Sequence, residues 1–197
     1  MDLALFDFDG TITVNDTFSS FLPHALSRRH LLVGRIVLAP VVVGYKLGLV
    51  SAPMIRTLVS AFAFRGKDEA MVRAAGERYA SERLPAFVRP HALERIHWHK
   101  ARGDRVVVVS CSLDVYLAAW CRNHGLELIC NELEARDGRM TGRLLEGDCG
   151  PFKSQMILDR YRLGEYGEVY AYGDTHEDEP MLDLASRRYY RWQELPA

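Results

Sequence analysis

Residues 3–13 read LALFDFDGTIT. A continuous apolar run of this kind is the mark of a strand covered on both faces. It ends in Asp7, with Asp9 one residue further on and Gly10 and Thr11 behind it. Residues two apart on an extended backbone share a side, so both carboxylates face the same way. At about 4 Å apart in an effective dielectric of 20, they would repel by about 4 kcal/mol. Such a pair needs a compensating cation.

Three further stretches supply polar groups at corresponding places. RVVVVSCS, residues 105–112, is a second continuous apolar run, and it reads as a strand ending at Ser110. Ser112 is the expected N-cap of the helix in SLDVYLAAWCRNHG, with Gly125 as its stop. LELIC and EVYAYGD read as two more buried strands, the latter ending in Asp174 with Asp178 four residues on. Lys153 follows Gly150-Pro151 at the start of a predicted helix, and LEARDGRMTGRLL reads as a hairpin turning at Asp137-Gly138. Strands alternating with helices predict an α/β fold with a doubly wound parallel sheet, whose ligands bind beyond the carboxyl ends of the strands. Those ends carry Asp7, Asp9, Ser110, Asp174 and Asp178. Four aspartates and one lysine leave room for a hard divalent cation, and Mg²⁺ suits a few carboxylates plus a phosphate.

Residues 13–88 have a different texture: helical periods and no strand of comparable strength. They predict a helical cap inserted after the first strand, with residues 1–12 and 89–197 forming the sheet domain. At 197 residues the chain can bury a sizeable core without disulfides. Its four cysteines form no CxxC pair, and Met1 leads directly into the first strand. Reduced thiols and a cytoplasmic location are therefore expected. A formal charge of −1 gives no field that would draw nucleic acid.

Together, DFDGTIT, VVVVSCS, Lys153 and GDTHEDEPML resemble the four motifs of the haloacid dehalogenase superfamily. The position of the cap resembles its phosphoserine-phosphatase-like branch, subfamily IB. The resemblance implies a phosphatase acting on a phosphorylated small molecule. Asp7 would be the nucleophile that forms an aspartyl-phosphate, and Asp9 the general acid and base. Mg²⁺ would be held by Asp7, the Asp9 main-chain carbonyl, Asp174 and Asp178. Thr11, Ser110, Cys111 and Lys153 would bind the phosphate.

The cap is less explicit. Phosphoserine phosphatases carry a glutamate nine residues after the nucleophile, where this chain has Asp16, and Arg56 and Arg65 are candidates for a further substrate contact. Residues 31–50, LLVGRIVLAPVVVGYKLGLV, have the length of a bilayer span. A single crossing would separate Asp7 from Ser110, so the stretch is expected either as cap core or a contact between two copies, or as a peripheral membrane contact. The long apolar cap is also similar to that of the phosphatidylglycerophosphatase C family, which keeps a lipid phosphate open beside a small soluble ester. Two decoys complete the inventory. Cys130 to Arg136 matches the Cys-x5-Arg spacing of thiolate phosphatases, but Glu132 and Glu134 in that loop would repel a phosphate dianion. His97 and His99 are expected in surface or cap-packing roles.

Overall fold

The computed structural model describes residues 1–196. The opening run forms β1 (Leu3–Phe6), buried at every residue. Five helices follow: α1 (Thr17–Ala25), α2 (Arg28–Val37), α3 (Ala39–Lys46), α4 (Ala52–Phe64) and α5 (Glu69–Glu82). The chain returns through α6 (Pro90–Ala101), β2 (Arg105–Leu113), α7 (Asp114–His124) and β3 (Glu127–Asn131). Strands β4 (Leu133–Arg136) and β5 (Arg139–Leu144) precede α8 (Lys153–Arg160), β6 (Val169–Gly173), α9 (Glu179–Leu182), β7 (Arg187–Tyr190) and β8 (Gln193–Glu194).

The main sheet has the order β3-β2-β1-β6-β7-β8, and only the β7–β8 pair is antiparallel. Winding runs outward from β1 in both directions, so the topological switch lies at its carboxyl end. Alternate residues feed two cores. Ala4, Phe6, Val106 and Val108 pack on one face with residues of α5, α6 and α7, whereas Leu3, Leu5, Val107 and Val109 meet Ile157 of α8 and Met181 of α9 on the other. Burial on both faces is why these strands read as unbroken apolar runs. The α/β doubly wound fold expected from the sequence is the fold observed.

Helix α5 packs on α7 and α1 on α5, while α4 lies against β5 and α2 and α3 pack on α4. Helix α5 crosses α7 so closely at Gly76 that a Cβ there would lie 2.0 Å from the Val115 carbonyl oxygen. The β4–β5 hairpin turns at Asp137 (φ 51°) and Gly138 (φ 72°), the double left-handed turn that matches strand twist. Its backbone is tied to the α4–α5 connection: Gly66 N donates to Met140 O (2.8 Å) and Met140 N to Lys67 O (2.8 Å). The two expected cap junctions run side by side, Val14 N donating to Phe87 O and Arg89 N to Ile12 O, each at 2.9 Å.

Three elements differ from expectation. The helical reading of NDTFSSFLPHALSRRH breaks in two, because Leu26 turns extended and Ser27 caps α2 by accepting from His30 N (3.3 Å). Residues 31–50 are not cap core: α3 has no buried residue, and Leu32, Val33 and Ile36 of α2 are exposed. Among the described residues, no helix is long and apolar enough to cross a membrane. Strands β7 and β8 were unanticipated, since their turn uses Arg191 (φ 50°) and Trp192 (φ 66°) instead of glycine or asparagine.

Candidate active site

Asp7 sits just past β1, its amide donating to Tyr172 O of β6 (2.9 Å). Beyond it the chain makes a tight turn through Gly10, at φ 84°. A Cβ on Gly10 would lie 2.3 Å from Asp174 Oδ2, so only glycine lets the two strand ends approach.

Lys153, the first residue of α8, is buried and donates to both Asp7 Oδ1 and Asp178 Oδ1 at 2.7 Å. Burial opposes its charge, but the two carboxylates outweigh that and hold the ammonium protonated. Burial likewise drives Asp7 well above the usual carboxylate range, against the pull of Lys153. Asp178 is also penalised by burial, yet it stays below that range through Lys153 and the amides of Asp174 and Thr175, which donate to Oδ2 at 3.1 Å. Asp174 is pushed up by burial and by Asp178, and Thr11 Oγ1 donates to its Oδ1 (3.2 Å). One oxygen each from Asp7, Asp174 and Asp178 falls within 4.8 Å of the others. These are hard oxygen donors with a single lysine to balance them, a donor set that fits Mg²⁺.

Asp9 points elsewhere. Its Oδ1 accepts from Thr17 N (2.7 Å) and Thr17 Oγ1 (2.5 Å), and its Oδ2 accepts from Ser112 Oγ. Burial raises its carboxyl to about 6, against those hydrogen bonds. Thr17 and Ser112 were not foreseen in this role. Ser112 was expected to cap α7, but α7 begins at Asp114 with no side-chain cap. The reason lies in the β2–β3 ladder: Ser110 pairs with Cys130 and Leu113 with Asn131, so Cys111 and Ser112 are extra residues in a bulge.

That bulge redistributes the expected phosphate ligands. Cys111, Ser112 and Lys153 line a cavity of about 790 Å³ together with Asp7, Asp9, Asp174 and Asp178. Ser110 is fully buried beneath them, its Oγ accepting from Ser112 N (3.1 Å), and Thr11 is occupied with Asp174. Asn131, absent from the sequence reading, props the same loop by donating to Cys111 O (2.7 Å) and accepting from Cys149 N (2.7 Å). The Cys111 thiol is pushed far up by its hydrogen bond with Cys149 and by burial, and Cys130 is pushed up by burial. Neither supplies a thiolate, which removes the Cys-x5-Arg decoy.

The far wall of the cavity is mostly apolar, with Phe18, Leu22, Leu38, Val42, Ile55 and Phe62 among its residues, and Arg35 and Lys46 also line it. Asp16 reaches its edge but is engaged as the N-cap of α1, accepting from Ser19 N (3.3 Å) and Ser19 Oγ (2.5 Å). Arg56 of α4 is brought in and Arg65 is not. Its guanidinium grips Asp148 in a fork at 2.7 and 2.8 Å and Glu177 at 3.1 and 3.2 Å. Asp148 and Glu177 had no sequence signal, because the loops that carry them meet α4 only in three dimensions. His99 departs from its expected surface or cap role: it is fully buried on α6, between Asp104 Oδ2 and Tyr172 Oη at 3.0 Å each. Burial lowers its pKa against the pull of Asp104, so it packs as a neutral ring.

Comparison with known proteins agrees with this architecture. The family model of haloacid dehalogenase-like hydrolases matches residues 4–183. The chain belongs to that family. Protein CicA of Caulobacter vibrioides is 30% identical, the match covering 96% of this chain and 85% of CicA. Two solved structures share the fold. A protein of unknown function from Bordetella pertussis Tohama I superposes with a TM-score of 0.81 at 23% identity, covering 96% of this chain and 89% of that one. A substrate-bound phosphoserine phosphatase superposes with a TM-score of 0.67 at 21% identity, covering 95% and 84%.

Proposed function

We propose that this hydrolase is a Mg²⁺-dependent phosphomonoesterase of subfamily IB that works through an aspartyl-phosphate on Asp7, with residues 13–88 as its cap. The observation that carries the reading is one cavity floor where Lys153 holds one oxygen of Asp7, Asp174 and Asp178 crowd beside it, and Asp9 stands apart in its own hydrogen-bond cradle. Asp7, Asp174 and Asp178, with the Asp9 carbonyl, would hold the metal. Mg²⁺ supplies charge neutralisation for the phosphoryl oxygens when bound.

With Oδ1 occupied by Lys153, the second Asp7 oxygen attacks phosphorus in line and displaces the leaving oxygen. Asp9, with a carboxyl at about 6, delivers the proton to that oxygen. As the anion it then takes a proton from the water that attacks the acyl phosphate, which frees Asp7 and orthophosphate. Thr17 and Ser112 keep Asp9 pointed at its task, and their hydrogen bonds stabilise its charged form. Lys153 and the Cys111–Ser112 bulge face the transferring oxygens. Ser110 supports the bulge and Thr11 fixes Asp174.

For the leaving group, the likeness in fold to a phosphoserine phosphatase supports a small soluble ester. A second reading, a lipid phosphate of the phosphatidylglycerophosphatase type, is favoured by the mostly apolar far wall, with Arg35 and Lys46 as cations on it. Asp16 and Arg56 point the same way, both being already engaged within the protein. A cavity of about 790 Å³ accepts either.

The test is hydrolysis of 4-nitrophenyl phosphate with Mg²⁺, followed by phosphoserine and phosphatidylglycerophosphate. Turnover that vanishes with chelator and in Asp7→Asn, whose circular dichroism matches wild type, is the expected outcome. No turnover of any ester would leave a phosphate-binding module, and near-wild-type activity of Asp7→Asn would reject Asp7 as nucleophile.

A further inference from the structure

From Thr17 to Lys67 the chain contains no aspartate or glutamate, but seven lysines and arginines. The whole chain carries a formal charge of −1, so the balancing negative charge lies entirely outside this segment. The same segment holds most of the exposed large apolar side chains of the described residues.

The two properties meet on α2 and α3. Helix α2 turns one side inward: a Cβ on Gly34 would lie 2.7 Å from the Phe62 ring of α4, and Leu31 and Leu38 line the cavity. Its other side presents Leu32, Val33 and Ile36 to solvent, with Arg28 and Arg29 one turn earlier on that side. Val43 and the turn after α3 extend the patch. Ile36 is 70% exposed, Leu47 68% and Leu49 80%, values that leave these side chains without a partner inside the fold.

We propose that this α2–α3 face docks on an anionic lipid bilayer. An exposed apolar stripe, basic residues beside it and no acidic residue to repel phosphates are the features of an interfacial helix. The lengths agree. Helices of 10 and 8 residues extend about 15 and 12 Å, half a hydrocarbon core of about 30 Å, so they lie on a bilayer and do not cross it. Because the inner side of the same helices walls the active-site cavity, a docked molecule holds that cavity about one helix diameter from the lipid surface. The proposal does not depend on which ester is hydrolysed.

Co-sedimentation of the full chain with vesicles of equimolar phosphatidylserine and phosphatidylcholine tests it, with pure phosphatidylcholine vesicles as the second arm. Binding to the anionic vesicles, weakened by salt and nearly absent for the neutral ones, is expected. Arg28→Glu with Arg29→Glu should cut binding at least about twenty-fold, at about fivefold per cation lost. Ile36→Glu with Leu49→Glu should abolish it. None of these four residues lines the cavity, so 4-nitrophenyl phosphate hydrolysis in solution should be unchanged. Failure of wild type to bind anionic vesicles, or equal binding by the variants, overturns the proposal. So does a wild-type dimer without vesicle binding that Ile36→Glu with Leu49→Glu converts to a monomer, since a second copy would then own the face. Because sedimentation needs no turnover, an inactive protein that binds vesicles would sink the phosphatase reading alone.

Discussion

Replacing Lys153 with methionine removes the only cation among the described residues that touches Asp7 and Asp178, while keeping the bulk of the side chain. Each carboxylate then loses a partner at 2.7 Å, and the pair is left with oxygens within 4.8 Å of each other. At that distance and an effective dielectric of 20, their repulsion is roughly 3 to 4 kcal/mol. For a chain of this length, each kcal/mol moves Tm by roughly 2–4 °C. Lys153→Met should therefore melt about 6–16 °C lower at pH 7 in chelator, followed by circular dichroism.

The sign of the pH dependence follows from the proton on Asp7. Burial already raises Asp7 in wild type while Lys153 pulls it down, so removing Lys153 raises it further. The extra stability of the protonated form is present below the ordinary carboxylate range and lost as pH rises above it. The gap to wild type should shrink as pH falls through the carboxylate range, and adding Asp7→Asn should restore much of the loss. A Tm within about 2 °C of wild type at pH 7, or a gap independent of pH, would refute the reasoning.

Three other outcomes follow from neighbouring contacts. Ser112→Ala removes a hydrogen bond that lowers Asp9 from above. Its carboxyl should rise from about 6, and the alkaline limb of kcat for an alkyl phosphate should move to higher pH; an unmoved limb would remove Asp9 as the acid. Arg56→Gln breaks a fork to Asp148, which is only 4% exposed, and should cost about 3 kcal/mol at pH 7 in urea unfolding. Asp148 is penalised by burial but held low by Arg56, so that stability is present above the carboxylate range and the gap to wild type should close as pH falls through it. Gly10→Ala puts a methyl 2.3 Å from Asp174 Oδ2 at a φ of 84°. Displacing that carboxylate by about 1 Å should lower kcat on the order of a hundredfold, and a kcat within twofold of wild type would show that the close approach is dispensable.

Most of the sheet was legible because its strands are buried on both sides, so β1, β2, β3 and β6 announce themselves as unbroken apolar runs. The carboxylates and Lys153 were legible because each stands at a strand end or helix start that local pattern locates. Ser27 as a second cap inside one helical stretch was harder, since Leu26 is apolar and the nearby Pro23 lies inside α1 instead of at its end. The β7–β8 turn was invisible for a related reason: Arg191 and Trp192 take left-handed angles without the usual turn residues. Trp192 Nε1 donates to Thr11 O (3.2 Å) and Arg191 Nε to Asp174 O (3.1 Å), so contacts to the site hold that turn.

The amino-acid sequence by itself determined which residues carry charge to the carboxyl edge of the sheet, because covalent order and strand burial leave those residues nowhere else to stand. Tertiary structure alone decided what each carboxylate does there. Asp7 and Asp178 share Lys153 while Asp9 turns to Thr17 and Ser112, and that division depends on a two-residue bulge in β2 and on α1 passing overhead. It was also tertiary packing that left the α2–α3 face uncovered. A helix buries whichever side finds a partner, and here Phe62 and the cavity took one side and none of the described residues covers the other.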